Sequence, residues 1–207
     1  MIDLQLITTP EQRNIAKNIV ETHHSYVPTM DSVGRRIDWL IYHEYQVIGM
    51  IGIGSSVYPP PKDLLRYLGV SKEEYKSIFN TIANNWRFCM SVSVKNAGTQ
   101  VLKMLRNDAP LEWKKKYGDE LTHIITFVGA DKNGAVYKAD NWHHIGFTAG
   151  LPQHKSSSMK WDSSEELKQK FVKPTGENKK MIFVKPVSLS KSKERNTLGT
   201  AGKFFEY

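Results

Sequence analysis

The sequence predicts an α/β or mixed α+β domain in which a central sheet is flanked by helices. Three observations predict it. Strand-like segments alternate with segments of helical periodicity along the chain. The stretch 47–54 is nearly all apolar, as expected of a strand in the middle of a sheet. The 207 residues suffice for one domain with its own core, and the single cysteine, Cys89, excludes an intramolecular disulfide framework.

The first predicted elements are a helix and a hairpin. A helix is expected over 10–23, because Pro10 suits a first turn and apolar residues recur at helical spacing. The pattern over 37–54 predicts a hairpin of two strands with its turn near 43–46. Three consecutive prolines at 59–61 then predict a rigid connector that cannot enter a sheet.

A capped helix is predicted to follow this connector. Ser71 and Glu74 form a capping box, and the apolar face of the helix that it opens extends to Ile82. The later elements are strands over 87–94, 122–130, 145–150 and about 179–187, helices over 99–108 and 110–118, and a short helical or turn-rich segment over 133–144. We expect residues 1–151 to form the core, and residues 152–207 to form a basic extension of the same domain that contributes the last strand.

The charge of the chain favours a polyanionic partner. The formal net charge is +8, and residues 152–207 carry +6 of it, with 12 Lys and Arg against 6 Asp and Glu. Basic surfaces attract phosphates, so double-stranded DNA is the expected partner, and a merely solubilising tail is the alternative. The candidate DNA-binding residues are Arg35, Arg36, Lys155, Lys160, Lys179, Lys180, Lys191 and Lys193.

The sequence shows no signal for a membrane or for secretion. No apolar run approaches the roughly 18 residues that would span a bilayer. The N-terminus is polar, unlike a secretory signal, and a single cysteine fits a reducing compartment. We therefore expect a cytoplasmic protein without membrane contacts. The oligomeric state stays open, and a dimer is compatible with the sequence.

A strand, a linker of small residues and a helix follow one another over 87–105. A helix that begins directly after a core strand presents unpaired backbone N–H groups and the positive end of its dipole, which bind anions such as a pyrophosphate. GNAT acyltransferases hold coenzyme A in this way, although their glycine-rich pattern is reduced here to Gly98. An ordinary strand–helix connection is the alternative. The candidate cofactor-binding residues of this segment are Lys95, Asn96, Ala97, Gly98 and Thr99.

Four segments, taken in order, resemble the Mom family of phage DNA-modification proteins. They are 23–26 with 32–35, 84–88, 95–99, and 131–146, whose Tyr-x-Ala-x-Asn-Trp-x-x-x-Gly core begins at Tyr137. The resemblance covers most of the chain, residues 20–150. The same order of segments resembles, more distantly, the core domain of Druantia-type phage-defence proteins.

The resemblance implies a mixed α/β, GNAT-like acyltransferase domain with a mostly antiparallel central sheet flanked by helices. It also implies that this domain adds a carbamoylmethyl (acetamido-type) group to the exocyclic amine of adenine in DNA, which protects phage DNA from restriction. A phage-encoded protein acting in the cytoplasm of its bacterial host is implied as well. The donor stays open: acetyl-CoA is the expectation from the fold, and a bound iron is raised for the family. Gln100 departs from the basic first helical turn of the family. Because adenine in a duplex is unreachable, the reaction requires base flipping or access to a distorted duplex.

The resemblance and the chemistry of the side chains together select candidate site residues. The candidate catalytic residues are His24, Tyr26, Arg87, Asp131 and Tyr137, and Asn141 is a further candidate for cofactor binding. A neutral histidine such as His24 can abstract a proton near pH 7. Arg87 can hold a phosphate or a carboxylate, or form a structural salt bridge. Asp131, which follows a predicted strand, is either the base that activates the amine or a turn residue.

Two other functions stay open at this point. One is a catalytically silent DNA-binding module of a phage-defence system. The other is a GNAT-type small-molecule or protein N-acetyltransferase, for which the basic tail is incidental. An iron site built from His143 or His144 with His23, His24 and Asp131 is conceivable, but nothing in the spacing of these residues requires it.

Overall fold

The computed structural model describes residues 1–24, 30, 34–129, 131–150 and 179–189. Within these residues the strands are β1 (Ile2–Leu6), β2 (Arg36–His43), β3 (Gln46–Ser55), β4 (Ile82–Met90), β5 (His123–Val128), β6 (His143–Phe147) and β7 (Met181–Pro186). The helices are α1 (Pro10–His23), α2 (Lys62–Leu68), α3 (Lys72–Ile78), α4 (Ala97–Tyr117) and α5 (Ala135–Ala139), with a 3₁₀ turn at Phe79–Thr81. None of these helices combines the length and apolarity needed to cross a lipid bilayer.

The described strands form one sheet in the order β1-β2-β3-β4-β5-β7-β6. Every neighbouring pair is antiparallel except β4 and β5, which run parallel. The prediction of a mixed α/β fold with a mostly antiparallel central sheet is confirmed. The last strand, β7, lies between β5 and β6 rather than at an edge.

Helices cover both faces of the sheet. The side chains of Trp39 and Ile51 pack with α4 and α5, whereas their chain neighbours Leu40 and Met50 pack with α1 on the opposite face. Helices α2 and α3 cover the far end of this opposite face, where they contact Ile125. Successive side chains of a strand point to opposite faces, so a sheet covered on both sides needs apolar residues at nearly every position. This explains the continuous apolar run of β3.

The parallel pair β4–β5 creates an opening in the sheet. The two strands pair only over Ile82–Asn84 with His123–Ile125. Beyond that point β4 continues along β3, and β5 continues along β7. A β-bulge in β4 lies at the start of the divergence, because Gly52 and Ile53 of β3 face Arg87 and Asn85, leaving Trp86 as the additional residue. The strands therefore separate into a V-shaped opening with the bulge on one of its sides.

The predicted elements differ from the structure in several places. Helix α3 ends at Ile78, and Ile82 begins β4 instead of extending the helix. The predicted helices over 99–108 and 110–118 are one continuous helix through Pro110. A proline inside a helix costs about 3 kcal/mol, but here both halves bury their apolar faces in the same core. The short elements β1 and α2 were not expected, and α2 directly follows the prolines of the predicted connector.

Candidate active site

A cavity of about 450 Å³ lies at the V-shaped opening. It is lined by His23, His24, Asn85, Trp86, Phe88, Cys89, Met90, residues 126–129 and residues 132–137. Trp86 and Cys89 belong to the layer of α1, whereas Phe88 and Tyr137 belong to the layer of α4 and α5. The cavity is thus built from both faces of the sheet. Its volume falls in the range of about 300–1,000 Å³ that is typical of small-molecule sites.

Asn85 organises the polar part of the cavity wall. Its side-chain Nδ2 donates to the carbonyl oxygens of Gly52 (2.8 Å) and Arg87 (3.0 Å), which holds the bulge. The hydroxyl of Tyr137 donates to Asn85 Oδ1 (2.8 Å), and the hydroxyl of Thr126 donates to the backbone oxygen of Asn85 (3.2 Å). Asn85 therefore connects β4 to β3 and α5 through its side-chain amide, and to β5 through its backbone oxygen. These bonds hold the strand ends and Tyr137 in a defined position.

Tyr137 is also held by aromatic packing. Its ring stacks on Phe183 of β7, with centroids 5.7 Å apart, and meets the edge of Trp142 at 5.1 Å. The residue is 8% exposed. Such packing leaves the ring little freedom, so the hydroxyl stays directed at Asn85.

Cationic side chains come together beside the end of α1. Burial, with the positive charges of Arg87 and Lys180, lowers the pKa of His24 to about 4. Burial and the charge of Arg87 also lower the pKa of Lys180. His24 is therefore neutral at physiological pH and has a ring nitrogen that can accept a proton. The concentration of positive charge favours an anionic group of a ligand at this side of the cavity.

The thiol of Cys89 lines the same wall. Cys89 is 5% exposed. Burial raises the pKa of the thiol. The neutral thiol therefore predominates at pH 7, and Cys89 contributes packing rather than a nucleophilic thiolate.

The segment predicted to bind a cofactor forms the start of α4. Asn96 precedes the helix in a left-handed conformation, and no side chain of the described residues caps the first turn. Gly98 lies so close to α5 that a Cβ there would come within 2.6 Å of Val136 Cγ2. The start of α4 thus packs behind Val136, which lines the cavity, whereas residues 95–99 do not line it themselves.

Three further candidates within the described residues, Arg87, Asp131 and Asn141, are not among the residues that line the cavity. Asp131 is exposed, with Oδ2 3.4 Å from Lys132 Nζ, and is not among the lining residues. Asn141 occupies a left-handed turn after α5, and its carbonyl oxygen accepts a hydrogen bond from Lys185 Nζ (2.9 Å). Tyr26 lies outside the described residues.

The two arginines predicted to bind DNA make internal contacts. Arg35 pairs with Asp119, and its guanidinium lies 4.9 Å from the ring centroid of Tyr117. Arg36 pairs with Asp38 on the same strand, close to Trp86. Of the predicted DNA-binding lysines, Lys179 is exposed and Lys180 is half-buried, whereas Lys155, Lys160, Lys191 and Lys193 lie outside the described residues.

No cluster of three or more His, Cys, Asp or Glu side chains that could hold a metal ion occurs in the described part of the chain. His143 Nδ1 is 2.6 Å from the hydroxyl oxygen of Tyr67 on α2. His144 packs against Phe147 and Phe183. The adjacent histidines therefore make separate contacts.

Sequence reasoning missed three residues that shape the cavity: Asn85, Trp86 and Thr126. A signal that could have identified Asn85 is the pair of asparagines inside an otherwise apolar strand, because a buried amide must find hydrogen-bond partners. The bulge that exposes Trp86 to the cavity has no comparable signal in the sequence.

Comparisons with known proteins agree with this architecture. The model of the family described as Druantia protein DruA matches residues 2–183. No curated protein matches the sequence significantly. The Druantia family was the more distant of the two predicted resemblances, and the likeness to the Mom family stays a prediction.

Solved structures of acyl-transferring enzymes share the fold. An N-acyl amino acid synthase, FeeM, from uncultured soil microbes is 11% identical, with 90% of each chain covered and a TM-score of 0.54. The ribosomal-protein-S18-alanine N-acetyltransferase of Escherichia coli is 10% identical, covering 99% of this chain and 100% of its own, with a TM-score of 0.51. An acetyltransferase of Bacillus subtilis in complex with CoA is 10% identical, covering 90% and 99%, with a TM-score of 0.52. The fold is that of the GNAT acetyltransferases.

Proposed function

The chain belongs to the Druantia protein DruA family, and we propose, from its GNAT fold and its resemblance to the Mom family, that it is a GNAT-like transferase that modifies the exocyclic amine of adenine in DNA. The observation that carries the proposal is the cavity at the β4–β5 opening, which combines a neutral histidine, neighbouring cations and aromatic walls. Group transfer needs an acceptor and a donor to meet, and a cavity built from both faces of the sheet gives each of them a wall.

In this proposal His24 is the proton acceptor. The amine nitrogen attacks an electrophilic carbon of the donor, a nitrogen–carbon bond forms, and the bond from that carbon to its leaving group breaks with the electron pair on the leaving group. The amine proton passes to the ring nitrogen of His24, which is unprotonated at neutral pH. The attacked carbon is a methylene if the product is the carbamoylmethyl adduct, and a carbonyl carbon if the donor is a thioester.

The aromatic and cationic groups would bind and orient the DNA. The rings of Phe88 and Phe127 line the cavity and can stack on a flipped base. Arg87 and Lys180 concentrate positive charge beside His24, where a phosphate of the flipped nucleotide or an anionic group of the donor would be stabilised. Coenzyme A, which the Bacillus subtilis structure contains, is the donor carrier that the fold suggests.

Mass spectrometry of nucleosides tests the proposal. DNA from cells that express the protein is digested, and deoxyadenosine is examined for a mass shift. We expect a shifted deoxyadenosine with the wild-type chain and its loss in His24→Ala and Tyr137→Phe, because these changes remove the proton acceptor and the hydroxyl held by Asn85. Tyr45→Phe, at a fully exposed hairpin position, is the matched control and should retain the product. Unmodified deoxyadenosine with the folded wild-type chain would refute the reaction.

A second function, N-acetylation of a small molecule or a protein, is favoured by the fold neighbours, two of which are named acetyltransferases. Release of free CoA from acetyl-CoA with amine acceptors, in the absence of DNA, would support it. Tight DNA binding without modification or CoA release would instead support the catalytically silent module.

A further inference from the structure

Trp86 lies at the junction of the bulge, the cavity and a buried ion pair. Its indole Nε1 donates to Asp38 Oδ1 (3.1 Å) across β3. Gly52 lies between the two residues, and a Cβ at this position would overlap both the Asp38 carboxylate and the indole nitrogen. The hydrogen bond therefore depends on a glycine in β3, and it orients the plane of the indole ring.

Two guanidinium groups lie over this ring. The Cζ atom of Arg36 is 4.3 Å from the ring centroid of Trp86, and that of Arg87 is 4.7 Å from it. Arg87 Nη1 also donates to the backbone oxygen of Trp86 (2.7 Å). Cations over the face of tryptophan are attracted by the negative potential of the ring. The indole thus contacts both arginines, and the charge of Arg87 acts on His24.

The carboxylate of Asp38, which accepts the hydrogen bond of the Trp86 indole, is itself held by an ion pair. Asp38 is 6% exposed and pairs with Arg36, whose Nη1 in turn donates to the backbone oxygen of Met30 (2.6 Å). Met30 lies on the connection from α1, which ends beside His24, to β2. The guanidinium of Arg36 therefore makes internal contacts and supports Trp86, which lines the cavity.

From these contacts we propose that Trp86 is a positioning residue: its indole holds the guanidinium of Arg87 beside His24, and the buried pair of Arg36 and Asp38 holds the indole. The catalytic role in this inference rests on the proposed function, in which Arg87 stabilises an anionic group near His24, the proton acceptor. The contacts of Trp86 with Arg87, Arg36 and Asp38 do not depend on that reaction. Arg87 can rotate about several bonds, and a ring that covers its guanidinium restricts it to fewer conformations.

The protonation of His24 reports the position of Arg87. The positive charges of Arg87 on β4 and of Lys180 before β7 both lower the pKa of His24, in addition to its burial. Nuclear magnetic resonance titration of the histidine rings in the full chain measures this pKa directly. We expect Arg87→Gln to raise it towards the ordinary value of about 6.5. We expect Trp86→Leu to raise it as well, since Arg87 is no longer held beside the imidazole.

A double-mutant cycle separates positioning from loss of burial. If Trp86 acts through Arg87, Trp86→Leu raises the pKa of His24 in the wild-type background and leaves it unchanged in the Arg87→Gln background. An equal rise in both backgrounds, or no rise in either, would overturn the inference. Tyr58→Leu is the matched control, because it removes an exposed ring under Lys72 away from the cavity and should not shift His24.

A second variant keeps the test valid if Trp86→Leu does not fold. Trp86→Phe retains an aromatic face but loses the donor to Asp38, so it should give a smaller rise than Arg87→Gln, and a rise as large would exclude the stacked ring as the cause. The outcome is separable from that of the proposed function. If the cycle shows coupling between Trp86 and Arg87 but DNA is not modified, the positioning role stands and only the proposed reaction is refuted. If DNA is modified but the cycle shows no coupling, only the positioning role is refuted.

Discussion

Asp140 and Asp131 lie on either side of α5, and their carboxylates make different contacts. Asp140 is buried, forms two hydrogen bonds with Arg106 (2.7 and 2.9 Å) and accepts a third from Trp142 Nε1 (2.9 Å). Asp131, by contrast, is exposed beside Lys132. The first carboxylate joins α4, α5 and the start of β6, whereas the second contributes little to stability.

This contrast leads to a paired stability prediction. Asp140→Asn leaves the charge of Arg106 without its partner, and because that side chain is partly exposed we expect a loss of about 2–3 kcal/mol in the free energy of unfolding. Asp131→Asn should change it by less than about 0.5 kcal/mol. Urea denaturation measures both. Retained nucleoside modification by Asp131→Asn would place this residue outside the chemistry, and loss of modification in the folded variant would restore its predicted catalytic role.

His24 should make stability depend on pH. Its pKa is about 4 in the folded chain against an ordinary value of 6.5, so the unfolded chain binds more protons between these values. Stability contributed by neutral His24 is therefore present above pH 6.5 and is lost as the pH falls towards 4. We expect His24→Gln to reduce the loss of stability between pH 6.5 and 4, as measured by urea midpoints at several pH values. Identical pH profiles of the two proteins would contradict the lowered pKa.

At the scale of elements, the start of α4 depends on its contact with α5. Alanine in place of a helical glycine stabilises by about 0.5–1 kcal/mol. At Gly98, however, the new Cβ would lie 2.6 Å from Val136 Cγ2, and overpacking of this kind costs about 1–3 kcal/mol. We therefore expect Gly98→Ala to lower Tm, and the double variant with Val136→Ala to recover most of the loss. A higher Tm for Gly98→Ala alone would show that α5 can move aside.

Prediction succeeded for the elements whose signals are local. Helix α1 and the hairpin of β2 and β3 follow from a proline in a first turn, helical periodicity and strand alternation within a few residues. Helix α4 was divided in the prediction because Pro110 is locally unfavourable, but burial of Leu105, Ala109 and Trp113 in one core outweighs that cost. Tertiary packing therefore makes α4 continuous through Pro110, and rules about neighbouring residues do not include this packing.

At the scale of the whole molecule, the charge distribution predicts where DNA is held. Residues 152–207 carry most of the net positive charge. Six lysines of this region are to be replaced by glutamine: Lys155, Lys160, Lys179, Lys180, Lys191 and Lys193. We expect weaker DNA binding, with the slope of log affinity against log salt reduced by about 0.9 for each phosphate that the protein no longer neutralises.

A control with the same loss of charge separates position from net charge. It replaces six exposed lysines of the described core: Lys17, Lys72, Lys76, Lys103, Lys115 and Lys138. The control should bind DNA nearly as the wild type does. Equal losses in both variants would show that net charge alone governs binding, and an unchanged salt slope in the first variant would establish a merely solubilising tail.

The sequence alone determined the fold class, the basic C-terminal region and most of the secondary structure, because caps, periodicity and charge are properties of neighbouring residues. It also pointed to His24, Arg87 and Tyr137, although not to what surrounds them. Only the tertiary structure decided which candidates meet. The cavity exists because β4 and β5 part after three paired positions and because a bulge turns Trp86 towards it. Strand divergence and bulges depend on residues far apart in the chain, so their side-chain directions are set by packing rather than by local sequence.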